Sequence, residues 1–361
     1  MLAWKANWEQ SRKRMVGWWK HTDLVVQMGT PFIQEPLYER VETPEDASSD
    51  VDFYINAPLR ARRNHYNLAR HLYGLETLPI ADIMIGPGSL ALYLGSQPDL
   101  TLATVWFNPT FKNEPNPEHL PRLQFQANEW WQITEDLCRE SMKLARGKYL
   151  VGIPDLVENV DVLASLRDAQ TLMVDMVERP EWIKDRVMEI NQVWFEAYDR
   201  IYDLIKDEEG GSCWGAFGIW SPGKTAKVQC DAAAMFSPRM FKKFVVPGLT
   251  EQCEWLDTSM FHLDGPECIC QLDNLLDIEA LDAIEWTPGA AHPGGADSRW
   301  HELYRRILDA GKSVQAVSVE ADEIIPLLDT FGGAGLHILS ECNSMAQYEQ
   351  LQKKLEPYYA K

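Results

Sequence analysis

The sequence predicts an α/β chain folded as a (β/α)8 TIM barrel, and three observations carry that prediction. From about residue 148 onward, short apolar runs of strand length alternate with long helical patterns. An earlier apolar run at 24–28 brings the count to eight strands, the number such a barrel needs. Several runs also end on His, Asp, Glu or Cys, and the carboxyl ends of barrel strands are where polar side chains converge. The runner-up is an open, doubly wound sheet. No G-x-G-x-x-G follows any strand, which weakens a dinucleotide-binding version of it.

The elements follow in order. Trp4, Trp8, Met15 and Trp18/Trp19 fall at roughly helical spacing, so residues 1–22 read as an amphipathic helical extension. The first strand covers 24–28. Residues 31–148 are a long elaboration of the barrel, with a polar turn-rich loop at 43–50 and a stretch at 108–128 broken by Pro109, Pro115, Pro117 and Pro121. The remaining strands are Tyr149–Ile153, Cys213–Ile219, Ala226–Cys230, Met260–Leu263, Ala283–Trp286, Val314–Val319 and Leu336–Leu339. Helices Pro180–Ile205, Pro238–Trp255 and Ser298–Ala310 lie between them. Pro180 and Pro238 suit a first helical turn, and Gly311 sits where a C-terminal cap falls. The 361 residues form one domain.

Composition excludes several classes. With 54 acidic against 34 basic residues the net charge is -20, which argues against a protein that grips nucleic acid. The one basic cluster, Arg60, Arg62 and Arg63, reads as a solvated helix face. No run reaches the ~20 apolar residues a membrane span needs, and the opening residues lack an apolar export core. Seven scattered cysteines, an odd number, point to free thiols in a reducing cytoplasm.

The strand ends carry the candidate chemistry. They read Gln229-Cys230-Asp231, His262-Leu263-Asp264-Gly265, Glu285-Trp286-Thr287 (with His292 beyond) and Ser340-Glu341-Cys342. His262 and Asp264 are two apart, so both side chains leave the same face of a strand. With Cys342 they would make an N, O and S set that zinc accepts, leaving a fourth position open. The plainer reading is a hydrogen-bonded polar pair and a small hydrophobic cysteine. Asp231 is either a third carboxylate at the same mouth or the N-cap of the helix that follows. Trp106, Trp214, Trp220 and Trp286 sit at or near strands and are either core or the walls of a flat-ligand pocket. Cys268 and Cys270 read as packing residues, and Gly86-Pro87-Gly88 and Gly332-Gly333 as turns. Gly223-Lys224-Thr225 lacks the upstream glycine of a phosphate loop.

These residues together resemble a known family. Gln229-Cys230-Asp231 … Ser237-Pro238-Arg239-Met240-Phe241 … Phe244 … Pro247 is similar to the Q-x-D … S-P-x-M-F … F … P block of the uroporphyrinogen decarboxylase superfamily. His262-Leu263-Asp264-Gly265, Asp175 … Pro180, Trp286-Thr287-Pro288-Gly289 and Gly311-Lys312 match further segments. The resemblance covers most of 150–361 and part of 80–110, and it implies the same barrel. Its porphyrinogen-decarboxylase branch uses an R-Q-A-G-R segment that is absent here, where the chain reads Val25-Val26-Gln27-Met28-Gly29-Thr30. Its corrinoid-dependent methyltransferase branch uses an H-x-C … C zinc motif. His262 and Cys342 match the outer ligands, and Asp264, 78 positions before Cys342, stands in place of the middle Cys.

The resemblance therefore implies a cytoplasmic methyltransferase of a corrinoid-dependent demethylation system. Zinc on His262, Asp264 and Cys342 would activate a small methylated substrate or an acceptor. Asp231, Asp264 and Glu341 would serve the chemistry, with Gln229, Trp106, Trp214, Trp220 and Trp286 around the substrate. The corrinoid would come from a partner protein, because the chain has no D-x-H-x-x-G carrier motif. A homodimer is also expected of the family, whereas neither nucleic acid nor a membrane is expected as a partner. The alternatives are a metal-free decarboxylase, in which Asp231 or Asp264 stabilises a protonated intermediate, and a non-catalytic barrel that binds a corrinoid.

Overall fold

A computed structural model describes residues 2–359. In chain order the strands are β1 (Val25–Gly29), β2 (Ile80–Ala81), β3 (Gln97–Leu100), β4 (Val105–Asn108), β5 (Leu150–Val151), β6 (Ser212–Trp214), β7 (Ile219–Ser221), β8 (Thr225–Gln229), β9 (Thr258–Asp264), β10 (Ala283–Thr287), β11 (Ser313–Glu320) and β12 (Leu336–Glu341). Six of them form one parallel sheet in the order β1-β12-β11-β10-β9-β8. β2 and β5 form a separate parallel pair, while β3–β4 and β6–β7 are antiparallel hairpins. The strands of the large sheet are buried almost throughout, as parallel strands covered by crossover helices must be. Among the described residues no helix is long and apolar enough to cross a membrane.

The helices follow the periodicity with one break. Pro180–Ile205 opens on proline and buries Ile183, Val187, Ile190, Trp194, Ala197, Tyr198 and Ile201, a stripe at three- and four-residue steps. The expected helix Pro238–Trp255 is two, Pro238–Phe244 and Val246–Trp255. Pro247 explains the break, since it has no N–H to donate and its ring clashes with the carbonyl one turn back. The basic cluster also differs from expectation. Arg60 is buried, with a guanidinium N–H donating to Asp82 at 2.7 Å, and Arg63 lies 3.5 Å over the ring of Phe53.

The regular ladder stops at β1 and β8, and beyond both edges side-chain bonds and isolated backbone bonds take over. The N–H of Val26 donates to the Glu76 carboxylate (3.1 Å), and the Glu76 N–H returns to the Val26 carbonyl (3.1 Å). The Thr77 hydroxyl accepts from the Met28 N–H (2.8 Å) and donates to the Met28 carbonyl (3.1 Å). Past β5, the Ile153 N–H donates to the Cys213 carbonyl (2.8 Å), and the Ser212 hydroxyl accepts from the Thr225 N–H (2.9 Å).

Two strand expectations need correction. Cys213–Ile219 is no single strand but the β6–β7 hairpin, because Gly215–Gly218 turns the chain back and Gly218 takes φ +61°. The 149–153 strand shortens to two residues, and its partner β2 follows Pro79 as a two-residue strand too short to leave a periodic signal.

Candidate functional site

Five polar side chains stand in register across five neighbouring strands. Gln229 of β8 pairs with His262 of β9, His262 with Glu285 of β10, Glu285 with Gln315 of β11, and Gln315 with His337 of β12. Glu285, Gln315 and His337 are fully buried. The inside of a parallel sheet is ordinarily filled by Val, Ile and Leu, so each polar group here must find a partner. His262 bonds the Glu285 carboxylate through Nδ1, and the Thr287 hydroxyl donates to its other oxygen at 2.6 Å. The Gln315 amide lies 3.0 Å from the His337 ring and donates to the Phe217 carbonyl at 2.8 Å. Burial drives the His337 pKa down to about 3, so this ring is neutral. Burial also works against a charged His262, but the bond and the charge of Glu285 outweigh it and leave that pKa raised.

A loop after β5, with the first turn of the helix Asn159–Arg167 that follows it, brings three more carboxylates onto the carboxyl end of β8. Asp155 holds the Lys227 ammonium with both oxygens, at 2.9 and 3.0 Å, and the same ammonium donates to the Gln229 side chain. Glu158 accepts the Gln229 N–H at 2.7 Å. Asp161 accepts the N–H groups of Asp231 (2.7 Å) and Ala232 (3.1 Å). The loop is strained: Val157 and Asn159, on either side of Glu158, take φ +46° and +26°, backbone a β-branched residue rarely adopts. It is seated by the glycine turn at 86–88, where the N–H groups of Gly88 and Ser89 donate to the Asp155 carbonyl at 3.2 and 3.0 Å.

Protons are abundant in this cluster. Burial raises Glu158 well above the usual carboxylate range. Burial and then the facing charge of Asp231 push Asp161 up to about 7. The Asp231 carboxylate meets solvent, yet the protein packed around it raises its pKa as well; Lys227 and His262 oppose the rise, and Asp155 and Asp264 add to it. The charge of Asp231 thus disfavours ionisation of Asp161, and both carboxyls hold a proton more readily than exposed ones do. Lys227 stays charged, because Asp155 and Glu158 outweigh the cost of burying it.

The predicted residues divide. His262, Asp264, Asp231 and Gln229 gather at the ends of β8 and β9. Asp231 opens the short turn Asp231–Met235 and does not cap the next helix; Ser237 does, its hydroxyl accepting the Met240 N–H at 3.3 Å. Trp214 belongs to the site, with its ring 5.0 Å from the Lys227 ammonium. Trp220 faces away, donating to Asp207 at 2.9 Å and packing edge-on against Trp8. Trp286 is fully buried against Trp300, on the opposite side of β10 from Glu285. Trp106 is 68% exposed on β4. Glu341 is exposed at the end of β12, beside Gly29 and Glu320.

Cys342 is pinned to the end of β1. Its thiol donates to the Gly29 carbonyl at 3.2 Å, and burial raises its pKa. Among the described residues no group of three or more His, Cys, Asp or Glu is placed to hold a metal ion. As placed, His262, Asp264 and Cys342 do not converge on one point: His262 bonds Glu285 through Nδ1, which leaves Nε2 open, and the Cys342 thiol is turned to the Gly29 carbonyl. A cavity of about 420 Å3 opens at the amino end of β5, lined by Trp8, Tyr149 and Asp207 among others. Its Asp207 carboxylate is already taken by Trp220 and the N–H groups of Glu209 and Gly211.

Sequence reasoning missed Lys227, Asp155, Glu158, Asp161, Gln315 and His337. The signal for three of them was present. Lys227, Gln229 and Asp231 alternate within Thr-Ala-Lys-Val-Gln-Cys-Asp, while Gln315 and His337 each interrupt an otherwise apolar strand. No protein-family model matches the chain and no curated protein matches it, so the superfamily expectation rests on the motifs quoted above.

Proposed function

We propose that the sheet closes into a (β/α)8 barrel and that its mouth is the active site of a methyl-transferring enzyme, with a Brønsted acid where the family motif suggests zinc. The closure is supported by the two seams, in which Glu76 and Thr77 join β1 to the β2 side and Cys213 and Ser212 join β5 to β8. The observation that carries the activity is the placing of solvent-facing Asp231 beside the Asp161 carboxylate, which accepts its N–H, next to the His262–Glu285 pair.

The corrinoid of a separate carrier protein would supply the nucleophile that takes the methyl group. What remains is a heteroatom, oxygen, nitrogen or sulfur, that has lost a methyl cation and needs a proton. Asp231 meets solvent at the mouth and is the donor. Asp161 replenishes it, and His262, held by Glu285, orients the heteroatom. Gln229 and the ring of Trp214 wall the substrate. The Lys227 ammonium is already engaged by Asp155 and Gln229, which disfavours its use in holding a polycarboxylate substrate.

The test is loss of the substrate methyl group, followed by mass spectrometry, with free reduced cobalamin as acceptor and a panel of methyl ethers, methylamines and thioethers. Asp231→Asn is expected to slow demethylation by about 10²-fold, the usual worth of a positioned acid. Release of CO2 without demethylation would replace this reading with the decarboxylase, and tight binding without turnover with the non-catalytic barrel.

A further inference from the structure

The β6–β7 hairpin does more than join two helical crossovers, because its tip touches side chains from four strands. A methyl group on Gly215 would lie 3.5 Å from Ile80 of β2, and one on Gly152, just past β5, 3.3 Å from the Gly215 nitrogen. The Gln27 amide of β1 donates to the Gly218 carbonyl at 2.7 Å, and the Gln315 amide of β11 to the Phe217 carbonyl at 2.8 Å. Gly218 leaves no room for a side chain, since a methyl group there would sit 1.9 Å from the Gln27 oxygen. The Phe217 ring lies 5.1 Å from the His262 ring of β9 and 4.9 Å from Trp214. Between these anchors Ala216 is exposed. With both neighbours tied to the sheet interior, the solvent that reaches Ala216 is the solvent of the mouth.

We propose that the hairpin tip is the inner wall of the substrate chamber, with Ala216 against the bound ligand and Phe217 holding the His262 ring in place. The tip therefore sets how deep a substrate can go. Phe217 acts as a positioning residue, through His262. The inference rests on the reading that chemistry occurs at His262 and Asp231, but not on which group is transferred.

The test uses diethyl pyrocarbonate, which acylates neutral imidazole, at about pH 8. The modification of each histidine is followed by peptide mass spectrometry. His119 and His292, both exposed, serve as internal controls. Ala216→Trp is expected to slow acylation of His262 about tenfold while leaving the controls unchanged. Phe217→Ala is expected to speed it and to move the pH midpoint of His262 acylation. Should Ala216→Trp fail to fold, Ala216→Cys labelled with a bulky methanethiosulfonate tests the same wall, with unlabelled protein as reference. An unchanged His262 rate in folded Ala216→Trp, or in labelled Ala216→Cys, overturns the proposal. Because no methyl donor is involved, failure of the demethylation assay leaves this result standing, and the reverse also holds.

Discussion

Lys227 and Lys5 are buried ammonium groups near opposite ends of the strands, and the protein treats them differently. Lys227, its ammonium at the carboxyl end of β8, faces both oxygens of Asp155, and its pKa is raised. Lys5 is fully buried near the amino end of β2, where its ammonium donates to the carbonyls of Tyr73 and Leu75 and to the Asn7 side chain. Its nearest carboxylate, Glu76, is engaged by Arg14 and by the Tyr359 hydroxyl. Burial then lowers the Lys5 pKa to about 7. Carbonyl dipoles satisfy the ammonium hydrogens, but only a counter-charge repays the lost hydration. The carboxyl end of β8 thus holds its buried cation in an opposed pair, while the other end tolerates one cation close to neutrality.

The sharpest way to break this contrast is Lys227→Met, which strands the Asp155 carboxylate without its cation. Urea unfolding is expected to show a loss of about 3–5 kcal/mol. Adding Asp155→Asn should restore much of it, and a cost below about 1 kcal/mol in the single variant would mean the pair is not a paired charge.

A smaller effect sharpens the Lys5 side. Its folded pKa lies below the unfolded value, so between about pH 7 and 10 the unfolded chain binds more protons and stability rises with pH. The wild type should gain up to about 1.4 kcal/mol per pH unit from this group. Lys5→Met should lose that slope, and the difference between the two proteins over pH 7–9 is the measurement. Equal slopes would show that Lys5 is not the group responsible.

The smallest effects concern the tryptophans. Trp220→Phe removes the bond to Asp207 and is expected to cost about 1 kcal/mol in thermal unfolding without changing His262 acylation. Trp106→Ala, at an exposed position, should stay within about 0.5 kcal/mol.

The same contrast separates what was legible in the sequence from what was not. Six of the eight expected strands are members of the regular sheet, because continuous burial writes itself as apolar runs. His262, Asp264 and Asp231 were readable because they stand where those runs stop. The carboxylates that act on them were not. Asp155 and Glu158 come from a loop whose strained backbone has no periodic signature, Asp161 from the first turn of the helix after it, and their partners at and just past the end of β8 lie some 70 positions away. Cys342 fitted a ligand spacing, but spacing along the chain does not say that its thiol bonds the Gly29 carbonyl. Gly218 likewise decided the fate of one strand, through a positive φ that composition alone under-weights.

The pairing of β1 with β12 has a consequence for how the protein is made. Val25 finds its ladder partner at His337, and Trp18 bonds the carbonyls of Val314 and Gly335. At the ribosome's pace of roughly 5–20 residues per second, β1 waits roughly 15–60 seconds after its synthesis for that partner. Through that interval an apolar strand and the Trp18–Trp19 face stand uncovered beside a nascent chain that cannot yet complete its sheet. The N-terminal segment is therefore where a chaperone has the longest window to act, and where slowed translation would do the most harm.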